Sequence, residues 1–281
     1  MSAVLVANAR MYAVTPSVKA DWKLVFDWAL AQAGLPWEGL DYDAPAPLSA
    51  LWARDDLGLA MMCGLPFAQR PVRPTVVAAP VPSPARYGGR PVYFTDIVVR
   101  ADAPYRSLED TFGAMLGYTL ADSMSGGVAL RCHLQTYQQT YRQNHLQARP
   151  WYRQAVGGLV NARGVIDALL AGRIDVGPVD SYYYALLQRN DPGFASQVRV
   201  VASTPAMPIP PLVATAALSA ADLARLQHSL LAVQAAPELA AVRERLQLQG
   251  FALVDAWHYQ VLADMAANAT WSFDGARPDL A

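Results

Sequence analysis

The residues whose types and spacing best suit chemistry are Asp122-Ser123-Met124-Ser125-Gly126-Gly127. This loop stands between an extended run over 116–121 and the start of a helix. It would place free backbone N–H groups and the positive end of a helix dipole at one point, where an anion is stabilised. Serine hydroxyls add donors, and glycine lets the backbone come close. The plainer alternative is an ordinary strand-to-helix turn with a serine cap.

Other polar residues invite shorter lists of roles. Asp96 sits inside the strand-like run 91–100, and an acid there needs a partner or must face solvent or a cleft. Asp180 precedes Ser181-Tyr182-Tyr183-Tyr184, so it is either a helix cap or a carboxylate facing a cleft to hold a cation. Cys63 and Cys132 have no metal-binding spacing, and two packed thiols are the commoner outcome for such a pair. His133, His145, His228 and His258 are scattered without placed partners. The chain carries no P-loop, dinucleotide fingerprint, nucleophile elbow or Ser-His-Asp ordering. No cofactor, metal or catalytic residue is therefore expected.

The elements that position these residues follow from hydrophobic patterning. The chain has 281 residues, 53% hydrophobic and 16% charged, which suits two globular domains with sizeable cores. A formal net charge of -1 supplies no field to recruit nucleic acid or an anionic membrane. No apolar run reaches the roughly 18 residues of a membrane span. The opening MSAVLVANARMY reads as a first strand rather than an export signal, so a chain starting there is expected in the cytoplasm.

Apolar runs at 3–7, 57–62, 74–81, 91–100, 116–121, 155–160, 198–202 and 212–216 read as strands. Helices are expected at 15–33, 47–54, from the serine loop to about 137, at 163–171, from 180, from 219, at 237–248 and at 256–267. Gln138 to Arg149 reads as a solvated helix or helix end, and the tail after Trp271 as loose. Strand–helix repetition of this kind predicts an α/β fold with mostly parallel sheets flanked by helices. Residues 1–98 and 203–281 are expected to form one discontinuous domain, with 99–202 inserted as a second and a ligand cleft between them. Two crossings, near 98–102 and in the proline-rich 200–208, would be hinges. Tyr12, after the first strand, and Cys63-Gly64, after the 57–62 strand, lie at the strand ends where open α/β sheets bind ligands.

Four segments in this order carry a resemblance that spans nearly the whole chain. They are LGLAMMCGLPFA, GRPVYFTDIVVR, ADSMSGG and AGRIDVGPVDSYYY. Together they resemble the type II periplasmic-binding-protein superfamily, and most of all its PhnD-like phosphate, phosphite and phosphonate solute-binding proteins of ABC transporters. The resemblance implies a two-domain clamshell that captures a small anion, an ABC permease as partner and a periplasmic location. It implies that Tyr93, with Thr95 on the same strand, lies beside the ligand. Ser123, Met124, Ser125, Gly126 and Gly127 would hold its oxyanion, and Asp180 would face the cleft, able to accept a ligand amine. The chain departs from the pattern at two places. A Gly-Ser-His segment is replaced by Leu159-Val160-Asn161-Ala162-Arg163, which puts Asn161 where a histidine is usual. The Ser-Thr-Ser of the anion loop becomes Ser123-Met124-Ser125, one hydroxyl fewer. Another oxyanion or an organic acid therefore stays open as the ligand. The same fold also hosts cytoplasmic enzymes of menaquinone and thiamine-precursor pathways. A second reading is thus an enzyme acting on a small carboxylate or phosphate ester, with Asp96 or Asp180 as general base.

Overall fold

The computed structural model describes residues 4–43, 46–143 and 151–273. In chain order its strands are β1 (Val6–Asn8), β2 (Glu38–Gly39), β3 (Leu57–Met61), β4 (Thr75–Pro82), β5 (Val92–Tyr93), β6 (Thr95–Arg100), β7 (Met115–Gly117), β8 (Gln154–Val156), β9 (Val176–Asp180), β10 (Val198–Ser203), β11 (Met207–Pro208), β12 (Leu212–Ala214) and β13 (Leu248–Ala252). The helices are α1 (Pro16–Ala33), α2 (Leu48–Trp52), α3 (Gly64–Ala68), α4 (Ala129–Gln143), α5 (Ala162–Leu170), α6 (Ser181–Asn190), α7 (Pro192–Ala195), α8 (Ala220–Ala232), α9 (Ala240–Arg245) and α10 (Gln260–Asn268). The chain divides into two compact units. Unit 1 comprises Met1–Val92, Ala185–Asp191 and Pro208–Gln260, and unit 2 comprises Tyr93–Tyr184, Pro192–Met207 and Val261–Ala281.

Among the described residues, unit 1 is built on a sheet of order β13-β4-β12-β3-β1-β2. β1 runs parallel to β2 and β3, while β12 is antiparallel to both β3 and β4. All five residues of β3 are buried, as its unbroken apolar run requires. α1 covers this unit with Trp22, Val25, Phe26, Ala29 and Leu30 on its buried face. Thr15 Oγ1 caps its start by accepting from Val18 N, and Gly34 ends it at φ 63, the left-handed value glycine tolerates best. Buried Asp21 accepts two bonds from Arg245 Nε and Nη2, at 2.8 and 2.6 Å, which ties α1 to α9.

Residues 237–248 differ from the single helix expected of them. α9 stops at Arg245, Gln247 takes φ 46, and Leu248–Ala252 becomes β13, antiparallel to β4. Leu248 and Phe251 are buried while Gln249 is exposed, so strand pairing wins over helical propensity there.

Unit 2 has the order β10-β6-β9-β7-β8. β9, β7 and β8 are mutually parallel, and β6 is antiparallel to β9 and to β10. Ile97, Val99, Leu116, Leu130, Leu134, Tyr152 and Val176 form its core.

The boundaries differ from those expected. β6 lies between β9 and β10, so a cut at residue 98 would split a strand; the chain passes into unit 2 at Val92/Tyr93 instead. Its return lies at Met207/Pro208 rather than near 203, because all of β10 pairs with β6. Residues 261–273 join unit 2 rather than the first unit, because Trp271 and Phe273 pack into the unit 2 core. Arg131 on α4 donates to the carbonyls of Ala269 and Trp271, and Gln135 Oε1 accepts from Thr270 N at 2.7 Å. Residues 1–3, 144–149 and 274–281, on which sequence expectations were also placed, lie outside the described residues.

His133, on α4, has a buried Nε2 with no hydrogen-bond partner among the described residues. Burial lowers its pKa from the ordinary 6.5. The unfolded chain therefore binds this proton more readily than the folded one. The stabilisation is complete above about pH 6.5 and is lost as pH falls through that value toward the folded pKa. Replacing His133 with leucine is expected to flatten the fall in melting temperature between about pH 7 and 5. An unchanged slope in differential scanning calorimetry would contradict this.

Candidate functional site

The parallel strands of unit 2 set the site's location. β7 and β9 present their carboxyl ends on one edge of the sheet, and β6, running the other way, begins there: Thr95 pairs with Asp180. α4, α5 and α6 each follow one of the three parallel strands, so their N-termini share that edge.

The serine loop forms the start of the longest helix in this unit. Ser123 is its N-cap, and Oγ accepts from Gly126 N at 3.3 Å. A π-type turn over Met124–Val128 leads directly into α4. Its first backbone bond runs from Val128 N to Ser123 O at 2.9 Å, where an α-helix would use Gly127 N. A π-type start thus leaves one more first-turn N–H outside the helical ladder. Ser125 O accepts from Thr95 Oγ1 at 3.0 Å, which fastens the turn to β6. The Ser125 hydroxyl itself has no hydrogen bond among the described residues. Met124 is buried, so the one apolar side chain of the loop is packed inside.

The two glycines serve the protein's own chain. A Cβ at Gly126 would overlap Thr119 Oγ1, and one at Gly127 would meet the carbonyl oxygens of Leu120 and Ala121. The sequence suggested room for a ligand at these positions; the room is filled by the end of the preceding strand. That strand end is stitched to the next loop as well, since Gly158 N donates to Thr119 O at 2.8 Å and Tyr118 N to Val156 O at 2.9 Å.

Asn161 is the N-cap of α5, accepting from Gly164 N at 2.9 Å. Its neighbour Val160 is exposed at φ 66, an unfavourable angle for a β-branched residue. Asp180 Oδ1 accepts from Tyr182 N and Tyr183 N at 2.9 and 3.0 Å, which makes it the cap of α6. Thr95 is fully buried, and its N–H donates to Thr204 Oγ1 at 3.0 Å. Tyr93 is buried where unit 2 begins. Asp96 is fully buried too, accepting from Ser203 Oγ at 2.6 Å. The unit 2 edge therefore gathers Thr95, Ser123–Gly127 and Asp180, with Asn161 on the adjoining loop.

Tyr12, Cys63 and Gly64 belong to unit 1. Tyr12 is buried, Cys63 Sγ lies 3.9 Å from Met11 Sδ, and Gly64 opens α3. Neither cysteine is in a disulfide. Unit 1 also holds a cavity of about 250 Å³ at the ends of β1 and β2, lined in part by Asn8, Arg10, Lys19, Lys23, Asp27 and Tyr42. Its lysines are already matched: Lys19 to Asp41 and Asp43, and Lys23 to Asp27. The hydrogen bonds that Lys19 Nζ donates to Asp43 and Asp41 raise its pKa. None of Arg10, Lys19, Lys23 and Tyr42 was singled out from the sequence; they come together here from α1 and the segments after β1 and β2. No group of three or more metal-ligating side chains occurs among the described residues.

The fold has counterparts among known proteins. The family described as ABC transporter, phosphonate, periplasmic substrate-binding protein matches residues 15–259. The chain belongs to that family. Solute binding in ABC-type uptake is thus its function, and no helix among the described residues is long and apolar enough to cross a membrane. No curated protein matches the chain. Among solved structures, the binding component of an ABC phosphonate transporter from Pseudomonas aeruginosa is similar, with TM-score 0.73 and 17% identity over 99% of this chain and 90% of that one. PhnD1 from Prochlorococcus marinus, in complex with methylphosphonate, gives TM-score 0.71 and 14% identity over 96% and 99%. A Xanthomonas citri protein bound to ATP gives 0.61 and 21% over 95% and 97%. At these identities the likeness shows that the phosphonate-binding family member has the type II binding-protein fold.

Proposed function

We propose that this family member captures a small oxyanion, phosphonate- or phosphate-like, on the first turn of the helix that Ser123 caps in unit 2. The observation that carries the reading is the Ser125 hydroxyl, without a hydrogen-bond partner among the described residues, at a helix start whose backbone ladder begins only at Val128 N. Ser123 Oγ uses a lone pair in the cap and keeps its proton to donate. Hydroxyls and N–H groups hold the anion without a full countercharge, aided by the helix dipole. Thr95 and Thr204 brace the turn from behind, so the donors are fixed before ligand arrives. Methylphosphonate in PhnD1 and ATP in the Xanthomonas citri protein both present phosphorus oxyanions, which supports the ligand class. An ABC permease as partner and a periplasmic location are proposed from the family. Asp180 caps α6 with Oδ1, which favours a structural role over capture of a ligand amine.

Incubation with methylphosphonate, inorganic phosphate and acetate tests the reading. Ligand at about a hundred times its Kd is expected to add about 2.7 kcal/mol, raising the melting temperature by several degrees, with the ligand recovered unaltered by mass spectrometry. Conversion of a probe would favour the enzyme. No shift with methylphosphonate or phosphate would overturn the oxyanion reading.

A further inference from the structure

Thr119 ends the run out of β7, four residues before the Ser123 cap. It is 4% exposed, and its Oγ1 is buried with no hydrogen-bond partner among the described residues. Burying a hydroxyl without a partner is costly, and native proteins seldom leave one so without a use. The hydroxyl points at Gly126, the third residue after the cap, and occupies the place where a side chain at that position would begin. The polar atoms around it are engaged elsewhere. Gly126 O accepts from Thr119 N at 3.0 Å, Thr119 O accepts from Gly158 N at 2.8 Å, and Gly126 N donates to Ser123 Oγ. Thr119 is therefore locked in place by its backbone on both sides, while its side-chain proton has no acceptor among the described residues.

We propose that Thr119 is an additional ligand-binding residue, whose hydroxyl donates to the oxyanion held on the first turn of the Ser123-capped helix. The proposal rests on the oxyanion reading above. It explains why position 126 is glycine: any side chain there would displace the hydroxyl from the flank of the turn. It also restores in part the donor that Met124 removes from the loop. The donor set becomes Thr119, Ser123 and Ser125 with first-turn N–H groups, and the bound anion satisfies a buried hydroxyl left unpaired among the described residues.

The test uses two substitutions that separate shape from hydrogen bonding. Thr119→Val keeps the shape and removes the hydroxyl, and Thr119→Ser keeps the hydroxyl and removes the methyl. Calorimetric titration with methylphosphonate and with inorganic phosphate is expected to show about a ten- to hundredfold weaker Kd for Thr119→Val, the size of one hydrogen bond to a charged group. Its ligand-free melting temperature should be equal to the parent's or higher, because an unpaired buried hydroxyl is gone. Thr119→Ser should bind within about threefold of the parent. Parental affinity in Thr119→Val would overturn the proposal. So would a lower ligand-free melting temperature, or failure to fold, in Thr119→Val, since either marks a structural role. Ser125→Ala, measured alongside, separates the two readings. If Ser125→Ala weakens binding and Thr119→Val does not, only the Thr119 proposal fails. If neither weakens it, or the parent binds neither probe, the oxyanion reading fails and takes this proposal with it.

Discussion

Trp271→Ala is expected to destabilise unit 2 by about 3–5 kcal/mol, the usual cost of emptying a large aromatic site in a core. Trp271 is 8% exposed and sits in the same cluster as Ile97, Leu116, Leu130 and Val176. Its ring meets Tyr152 and Phe273 edge to face, with centroids 6.5 and 5.5 Å away. Its carbonyl accepts from Arg131 Nε at 2.7 Å, so the backbone is fixed to α4 as well. Alanine cannot fill the volume, and the fixed backbone limits collapse of the void. The effect should reach the site by a short path: Phe273 stacks on Tyr118 at 3.7 Å, and Tyr118 directly precedes Thr119. Denaturant unfolding should show a lower midpoint with the slope retained. A change below about 1 kcal/mol would mean that this C-terminal segment is an accessory to unit 2 rather than part of its core.

The same segment marks where the sequence was hardest to read. Repeated strand–helix patterning made the α/β class plain, and Thr15-Pro16 with Gly34 gave both ends of α1 through local rules that need no tertiary context. Ser123, Asp180 and Ser219 were legible as caps for the same reason, whereas the cap role of Asn161 was not read from the sequence. What a residue packs against at long range was not legible. Residues 261–273 were expected beside the first unit by sequence proximity, but two aromatic side chains draw them to the second. β13 was missed, with only its first residue, Leu248, included in an expected helix, because its pairing with β4 lies about 170 residues away in sequence and no local pattern records that distance. Within the candidate site, the serines could be read from type and spacing. The reason for the glycines could not, because Thr119 and the carbonyls of Leu120 and Ala121 meet them only in three dimensions.

The second large effect concerns the serines. Ser123 both caps the helix and faces its first turn, so Ser123→Ala would confound lost binding with a lost cap of about 1 kcal/mol. Glycine at a cap costs only a few tenths of a kcal/mol, which makes Ser123→Gly the cleaner change. The Ser125 hydroxyl has no hydrogen bond among the described residues, so Ser125→Ala should leave the ligand-free protein as stable as before. The combined variant removes two donors to a charged group, at about 1.5–3 kcal/mol each before any coupling between them. Calorimetric titration of methylphosphonate into the parent and into Ser123→Gly/Ser125→Ala is the most direct test of the oxyanion seat. The parent is expected to bind, and the variant to bind at least tenfold more weakly at a nearly unchanged ligand-free melting temperature. Equal affinity in the two proteins would contradict the seat and move the anion away from the Ser123-capped helix.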